Sequence, residues 1–129
     1  MRLLLDTSVL IDVLRRRRGR RELLVELARA GHVLATTSLN VAEVYAGVRP
    51  GEEPQTETFL DGLDCYDLTR NAGQLAGKLK NEWGRKGRTL TIADTIIAAV
   101  ALENRCVLMT DNRKDFPMPD LKCYPLPDA

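Results

Sequence analysis

Short apolar runs alternate along the chain with longer stretches in which apolar residues recur every three or four positions. A short, fully apolar run is typical of a central strand in a parallel sheet, and the recurring pattern is typical of a helix. The runs predict strands at Leu3–Leu5, His32–Ser38, Cys65–Leu68 and Cys106–Thr110. The segment Leu121–Leu126 is a candidate edge strand, because Pro125 is poorly tolerated in a central one.

Helices are predicted between these strands. Thr7 and Ser8 are capping residues, and apolar positions at helical spacing follow them to Leu14. The other predicted helices cover Glu22–Ala30, Leu39–Val48, Glu57–Leu63, Thr69–Gly87 and Thr89–Arg105, and Arg49–Pro54 is a predicted loop. Strands that alternate with helices at this pace indicate βαβ units. We therefore predict an α/β fold of three layers, with a central, mostly parallel sheet of four to five strands.

Acidic and amide side chains follow the predicted strands or begin a predicted helix. They are Asp6, Glu43, Asp94, Asp111, Asn112 and Asp115. In a parallel α/β sheet the carboxyl ends of the strands meet at one edge, which is where functional residues collect. Carboxylates brought together repel one another, and a divalent cation removes that conflict. Oxygen ligands without His or Cys favour Mg²⁺, with Mn²⁺ as a possible substitute.

Three of these acids also fit a helix-capping role. Asp94 lies three residues after Thr91, Glu43 lies three residues after Asn40, and Asp6 precedes a helix. Four segments that deliver acids to one edge favour a metal site over independent caps. The remaining acids of interest are interpreted as solvated or capping residues: Asp12, Asp61, Asp64 and Asp67.

Length and composition fit one domain that covers residues 1–129, with 44% hydrophobic and 29% charged residues. The net charge of +1 gives no global field of the kind that marks a nucleic-acid or membrane binder. Three widely separated cysteines, Cys65, Cys106 and Cys123, favour free thiols in a reducing cytoplasm over disulfides or zinc. Asp6 and Asp12 interrupt the first apolar run, so we expect neither a signal peptide nor a membrane span. We therefore predict a cytoplasmic location.

Four segments resemble the PIN domain in its VapC toxin form. They are "LLLDTSVLIDVL", "SLNVAEVYAGV", "GRTLTIADTIIAAVAL" and "VLMTDNRKDF", which together reach Phe116. The resemblance implies a PIN-like α/β/α fold and a Mg²⁺-dependent endoribonuclease that is the toxin of a type II toxin–antitoxin system. It also implies a homodimer and a cognate VapB-type antitoxin whose C-terminal segment covers the acidic groove.

The same resemblance assigns site residues. The family's first three acids fall on Asp6, Glu43 and Asp94. The usual fourth position falls on Asn112, so either Asp111 or Asp115 supplies the missing charge, and the "N-x-x-D-F" pattern favours Asp115. The presence of Asn112 at the family's fourth position bears on whether a second metal ion binds.

The proposed reaction is hydrolysis of an RNA phosphodiester by water activated at the metal, since no His lies near these acids in the sequence. Asp6 and Asp94 are expected as direct metal ligands, and Glu43 is expected to bind through water or accept its proton. Three hydroxyls are expected to hold water or the scissile phosphate: Thr7, Ser8 and Thr110.

An arginine run, Arg15–Arg21, carries six arginines: Arg15, Arg16, Arg17, Arg18, Arg20 and Arg21. It is either a solvated loop between helices or a clamp for RNA phosphates, and both interpretations stay open. A further basic set, which would extend such a surface, comprises Lys78, Lys80, Arg85, Lys86 and Arg88.

Several other classes share part of this pattern. A haloacid-dehalogenase-type phosphatase needs a second Asp where Ser8 stands, and a response-regulator receiver needs a Lys where Thr110 stands. Two alternatives remain within PIN-like proteins: a catalytically weak domain for RNA binding or scaffolding, and a DNA-directed nuclease. Retention of at least three acids argues against the first, and the lack of a helical-arch insertion argues against the second.

Overall fold

A four-stranded parallel sheet forms the centre of the fold in the computed structural model, which describes residues 1–127. The strands are β1 (Arg2–Leu5), β2 (Val33–Thr37), β3 (Asp64–Tyr66) and β4 (Val107–Met109), and their order across the sheet is β3-β2-β1-β4. Every pairing between neighbours is parallel. The predicted α/β class and parallel sheet are confirmed.

Helices cover both faces of the sheet. They are α1 (Thr7–Leu14), α2 (Arg20–Arg29), α3 (Ser38–Ala46), α4 (Glu53–Asp61), α5 (Arg70–Arg85) and α6 (Ile92–Glu103). The side chains of β1 alternate between the two faces, as strand geometry requires. Leu3 and Leu5 pack in a core with α1 to α4, whereas Leu4 packs in a second core with α6. These two cores give the three layers that the sequence predicts.

β1 lies at the centre of the sheet, with β2 on one side and β4 on the other. Leu3, Leu4 and Leu5 have no exposed surface, because both faces and both edges of the strand are covered. The end of β1 is therefore fixed from all sides, and the next residue in the chain is Asp6.

Several predicted boundaries are wrong by a few residues, and the helix predicted at Thr89–Arg105 begins three residues later, at Ile92. The helix predicted at Glu57–Leu63 begins already at Glu53, because Pro54 is well suited to the first turn of a helix. The third strand is one to two residues earlier than predicted, at Asp64–Tyr66.

The predicted edge strand at Leu121–Leu126 is reduced to a single bridge between Leu108 and Cys123. Leu108 N donates to Lys122 O at 2.8 Å, and Tyr124 N donates to Leu108 O at 2.7 Å. The next residue, Pro125, has no backbone N–H, so it cannot donate the hydrogen bond that would extend the pairing.

None of the helices within residues 1–127 is both long enough and apolar enough to cross a membrane. Cys65, Cys106 and Cys123 are free thiols, and burial raises the pKa of each of them. Protonated thiols are poor nucleophiles and poor metal ligands.

Candidate active site

Asp6 directly follows β1 and caps the N-terminus of α1. Its backbone N–H donates to Met109 O of β4 at 2.9 Å. Its carboxylate accepts three hydrogen bonds, from Thr7 N at 2.9 Å, Asn40 Nδ2 at 3.2 Å and Thr110 Oγ1 at 2.7 Å. Asp6 is therefore a helix cap and also a carboxylate held in one orientation at the carboxyl edge of the sheet.

Asn40, on α3, connects Asp6 to Glu43. The side chain of Asn40 is fully buried, and its Oδ1 accepts a hydrogen bond from Thr37 Oγ1 at 2.6 Å. Its Nδ2 donates to Asp6 Oδ1 and to Thr7 Oγ1, the latter at 2.9 Å. The Thr7 hydroxyl in turn donates to Glu43 Oε1 at 2.8 Å. Asn40 and Thr7 each accept one hydrogen bond in this network and donate another toward a carboxylate. Both carboxylates are therefore held as hydrogen-bond acceptors.

The sequence offered Asn40 only as the partner of Glu43 in an alternative capping pair. Thr37 caps α3 instead, and its Oγ1 accepts from Asn40 N at 3.1 Å. The signal that could have identified Asn40 is its spacing, since residues three apart share one face of a helix. A buried amide on the face of Glu43 is well placed to contact the same site.

Asp94 lies in the first turn of α6, where Thr91 is the N-cap and accepts from Asp94 N at 3.1 Å. Burial is the main cause that raises the pKa of Asp94, and a hydrogen bond with Thr91 lowers it. Three other acids raise it further, in the order Asp115, Asp6 and Glu43. Four carboxylates from four segments therefore share one electrostatic environment.

Asp115 and Asp111 were the two candidates for the fourth acid, and the structure places them differently. Asp115 lies in a short 3₁₀ turn, Arg113–Asp115, and its N–H donates to Asn112 O at 2.9 Å. Asp111 Oδ1 accepts a hydrogen bond from Arg20 Nη2 at 2.8 Å and forms an ion pair with Arg18 Nη1 at 3.0 Å. Asp111 is thus ion-paired with the arginine run, whereas the charge of Asp115 raises the pKa of Asp94.

The three hydroxyls predicted to hold water or phosphate, and Asn112, lie around these acids. The hydroxyls of Thr7 and Thr110 donate to Glu43 and Asp6, so they orient carboxylates. Thr110 Oγ1 also accepts from Asn112 N at 3.0 Å. Ser8 Oγ accepts a long hydrogen bond of 3.5 Å from Asp111 N. A direct contact of these groups with water or phosphate stays a prediction.

The arginine run divides into buried or paired residues and exposed ones. Arg15 approaches Glu52 at 3.6 Å, and Arg18 approaches Asp111. Arg20 is 1% exposed, so the predicted contact between Arg20 and RNA is wrong: its side chain packs inside the fold against Asp111. Within the run, the exposed arginines without an acidic partner among residues 1–127 are Arg16, Arg17 and Arg21.

Asp12 also differs from its prediction as a solvated or capping acid. Asp12 is 8% exposed, and its Oδ2 lies 3.7 Å from Arg18 Nη1 and 3.8 Å from Arg20 Nε. It lies one helical turn after Ser8 on α1, and its two arginine neighbours come from the loop after α1 and from the first residue of α2. The prediction failed because those partners are not visible from helical periodicity.

The donor set at the carboxyl edge fits a hard divalent cation. It consists of the carboxylates of Asp6, Glu43, Asp94 and Asp115 and contains neither imidazole nor thiolate. Within residues 1–127, no three His, Cys, Asp or Glu side chains approach closely enough to form a complete metal-binding cluster. The argument for a cation therefore rests on the chemistry and mutual repulsion of these acids.

The parallel sheet with acids from four segments at its carboxyl edge defines a class of protein. The PIN domain family model matches residues 3–118, so the chain belongs to the PIN domain family.

Similar proteins lie within one group of that family. Ribonuclease VapC19 of Mycobacterium tuberculosis is 32% identical over 120 residues, which cover 92% of this chain and 96% of VapC19. Ribonuclease VapC2 of Haemophilus influenzae is 28% identical over 121 residues, which cover 90% of both chains. A crystal structure of VapBC2 from Rickettsia felis, bound to a DNA fragment from the promoter, matches with a TM-score of 0.82. Its identity is 25%, and the match covers 96% of this chain and 98% of that chain. The resemblance to the VapC form is confirmed.

Proposed function

We propose that this PIN domain is a Mg²⁺-dependent endoribonuclease that hydrolyses phosphodiester bonds of RNA. We propose further that it is the toxin of a type II toxin–antitoxin system, works in the cytoplasm as a homodimer of single-domain chains, and is neutralised by a VapB-type antitoxin. Two similar proteins are named ribonucleases, and a similar structure contains a VapB–VapC pair. These likenesses support the RNA substrate and the partner.

The observation that carries this proposal is the environment of Asp94. Three further carboxylates, from Asp115, Asp6 and Glu43, raise its pKa on top of the effect of burial. Accumulated negative charge of this kind costs stability unless a cation compensates it. An arrangement that costs stability and collects at the carboxyl edge of a parallel sheet is typical of a functional site.

Asp6, Glu43, Asp94 and Asp115 would hold the metal ion. When bound, Mg²⁺ supplies activation of the attacking water and stabilisation of charge on the phosphate. Thr7 fixes Oε1 of Glu43, which orients this carboxylate to accept a proton from the attacking water. Asn40 and Thr110 hold both oxygens of Asp6.

Histidine takes no part in this chemistry. His32, the one histidine of the chain, lies just before β2, at the opposite edge of the sheet from Asp6. Its Nδ1 is 3.1 Å from the amino group of Met1. Proton transfer in this site therefore depends on carboxylates.

The substrate class can be tested with matched oligonucleotides. Single-stranded RNA, single-stranded DNA of the same sequence and the DNA duplex are incubated with purified protein and Mg²⁺, and the products are resolved on a gel. We expect internal cleavage of RNA and no cleavage of either DNA. Cleavage of DNA with RNA intact would favour the DNA-directed nuclease, and RNA binding without cleavage would favour the RNA-binding domain.

The exposed arginines of the run are expected to bind RNA phosphates. Replacing both Arg16 and Arg17 by Gln should raise the KM for RNA and leave kcat nearly unchanged. Each lost phosphate contact should reduce the slope of log affinity against log salt by about 0.7 for a single strand. The measurement is the cleavage rate of one RNA across a salt series.

The matched control for this prediction is Arg29→Gln, an exposed arginine at the other end of α2. It should behave like the parent protein. An unchanged KM and an unchanged salt slope in the Arg16/Arg17 variant would show that this part of the run is a solvated loop.

An apolar groove of about 360 Å³ is consistent with binding of a protein partner. It lies between α1, α2 and α4, and its lining includes Val13, Leu24, Val25, Phe59 and Leu63. Val25 is 43% exposed there. A groove between helices with apolar walls is suited to the apolar face of an amphipathic helix. We propose that the antitoxin binds here with such a segment.

Placing a charge in this groove should prevent neutralisation without affecting the acids. Val25→Glu places a good helix former on α2 and is expected to weaken binding of the cognate antitoxin by at least about 10-fold, because desolvating a carboxylate under an apolar segment is costly even beside Arg16 and Arg21, which also line the groove. The measurement is antitoxin titration against RNA cleavage. Leu68→Glu, which changes an apolar residue of similar exposure outside the groove, is the control. If the antitoxin inhibits both variants equally, it does not bind in this groove.

A further inference from the structure

An ion cluster, buried or half-buried except at Arg18, joins the arginine run to the segment after β4. Its members are Asp12, Arg18, Arg20 and Asp111, and we call it the Arg20 cluster. Arg20 Nη2 donates to Asp111 Oδ1 at 2.8 Å, and Arg20 Nη1 donates to Pro127 O at 3.1 Å. One side chain therefore lies against α1, against Asp111 two residues beyond β4, and against the C-terminal segment.

Arg20 is unusual because it is the largest fully buried side chain among the described residues. Its Nε has no hydrogen-bond partner there, and the nearest acid, Asp12 Oδ2, is 3.8 Å away. A buried ion pair of this kind is often no more stabilising than apolar residues of the same size. Overall stability alone therefore gives no good account of Arg20, and its partner Asp111 indicates another role.

Asp111 lies in the middle of the segment that completes the candidate active site. Thr110, just before it, donates to Asp6, and Asn112, just after it, donates through its N–H to Thr110 Oγ1. The segment then leads to Asp115, whose N–H is bonded to Asn112 O. A carboxylate clamped at position 111 restrains both neighbours, so it fixes the path of residues 110–115.

We propose that Arg20 is a positioning residue that acts through Asp111. It holds the Asp111 carboxylate in the Arg20 cluster and fixes residues 110–115, so that Thr110 bonds Asp6 and Asp115 is directed toward Asp94. Asp111 is thus a structural anion, distinct from the four acids of the site. The catalytic consequence of this inference rests on the proposed function, whereas the restraint of the segment does not.

A double-mutant cycle tests the catalytic consequence. Arg20→Met and Asp111→Asn are each expected to lower kcat and the affinity for Mn²⁺ by roughly 10- to 100-fold, the usual effect of losing a residue that orients metal ligands. The KM for RNA should change little. The double variant should be no worse than either single variant, because the two residues act as one unit.

Hydrogen exchange tests the restraint directly and needs neither RNA nor metal. The amides of Asn112 and Asp115 should exchange at least about 10-fold faster in Asp111→Asn, while amides in α5 keep the rates of the parent protein. Glu52→Gln is the matched control, since it also neutralises an acid paired with an arginine of the run, at 3.6 Å from Arg15. It should leave both amides and the Mn²⁺ affinity unchanged.

The outcomes separate the possible roles. Unchanged exchange in Asp111→Asn overturns the proposal, whether or not the parent protein cleaves RNA. A loss of Mn²⁺ affinity in Asp111→Asn with full affinity in Arg20→Met also overturns it, because Asp111 would then bind the metal itself. If Arg20→Met does not fold, Asp111→Asn decides alone, since Arg20 keeps Asp12 as a neighbouring acid. A parent protein that cleaves no RNA counts against the proposed function only.

Discussion

Replacing Asp6 by Asn is expected to lower RNA cleavage by more than about 100-fold, since loss of a residue that only orients a metal ligand already costs 10- to 100-fold. The substitution removes the negative charge and keeps the size of the side chain. Asn is also a good N-cap residue, so α1 should still form. The cleavage rate of a defined RNA at saturating Mg²⁺ measures the effect.

The control for this prediction is Asp61→Asn, which neutralises an exposed acid at the end of α4. It should cleave RNA at the rate of the parent protein. Circular dichroism of both variants checks that the fold is intact. If a folded Asp6→Asn protein cleaves RNA as fast as Asp61→Asn, Asp6 has no role in the reaction.

Replacing Asp94 by Asn is expected to have opposite effects on activity and stability. RNA cleavage should fall by more than about 100-fold, for the same reason as at Asp6. Without metal, the variant should have a higher Tm than the parent protein at neutral pH. Burial and the charges of Asp115, Asp6 and Glu43 raise the pKa of Asp94, so its ionised form destabilises the folded state.

The pH dependence of this stability difference follows from the direction of the shift. Asp94 has an ordinary pKa of 3.8, and its pKa in the folded protein is higher. Below 3.8 the group is protonated in both states, so it does not penalise folding. As the pH rises through the folded-state pKa, the stability contributed by the protonated group is lost. The gain in Tm from Asp94→Asn should therefore be largest at neutral pH and shrink as the pH falls toward 3.8.

Thermal unfolding in EDTA across this pH range measures the difference. Glu57→Gln, which neutralises an exposed acid of α4, is a control that should change Tm little at any pH. A lower Tm for Asp94→Asn than for the parent protein at neutral pH would mean that Asp94 is a stabilising cap and that crowding of charge is unimportant.

Those features of the fold that depend on short stretches of sequence were predictable. The run Leu3–Leu5 predicted β1 because a strand buried on both faces needs apolar residues at every position. The capping pattern from Thr91 to Asp94 marked the N-cap of α6, although the predicted helix began three residues too early, at Thr89. Both acids, Asp6 and Asp94, follow such signals directly, so the sequence located them.

Features that depend on partners far along the chain were not predictable from periodicity. Arg20 and Asp111 are separated by 91 positions, and nothing in the arginine run indicates that one of its members is buried. Asn40 and Asp6 are separated by 34 positions, and the sequence offered Asn40 only as part of a local cap. In both cases a long-range hydrogen bond, which local patterns do not encode, determines where the side chain lies.

The fourth acid shows how the two kinds of information combine. The sequence narrowed the choice to Asp111 and Asp115 by their position after β4. The structure distinguishes them by their surroundings, because Asp111 is neutralised by Arg18 and Arg20, whereas Asp115 adds to the negative charge around Asp94. Asp115 is therefore the acid that we propose for the site, in agreement with the preference from the sequence.

The central claim is that the acids at the carboxyl edge cleave RNA with a divalent cation. The most direct measurement is the cleavage of total RNA by purified, antitoxin-free protein in Mg²⁺, in EDTA, and in EDTA followed by excess Mg²⁺. We predict cleavage in the first condition, none in the second and recovery in the third, with no cleavage by Asp6→Asn in any of them. Equal cleavage in Mg²⁺ and EDTA, or no cleavage of RNA under any condition, would contradict the claim.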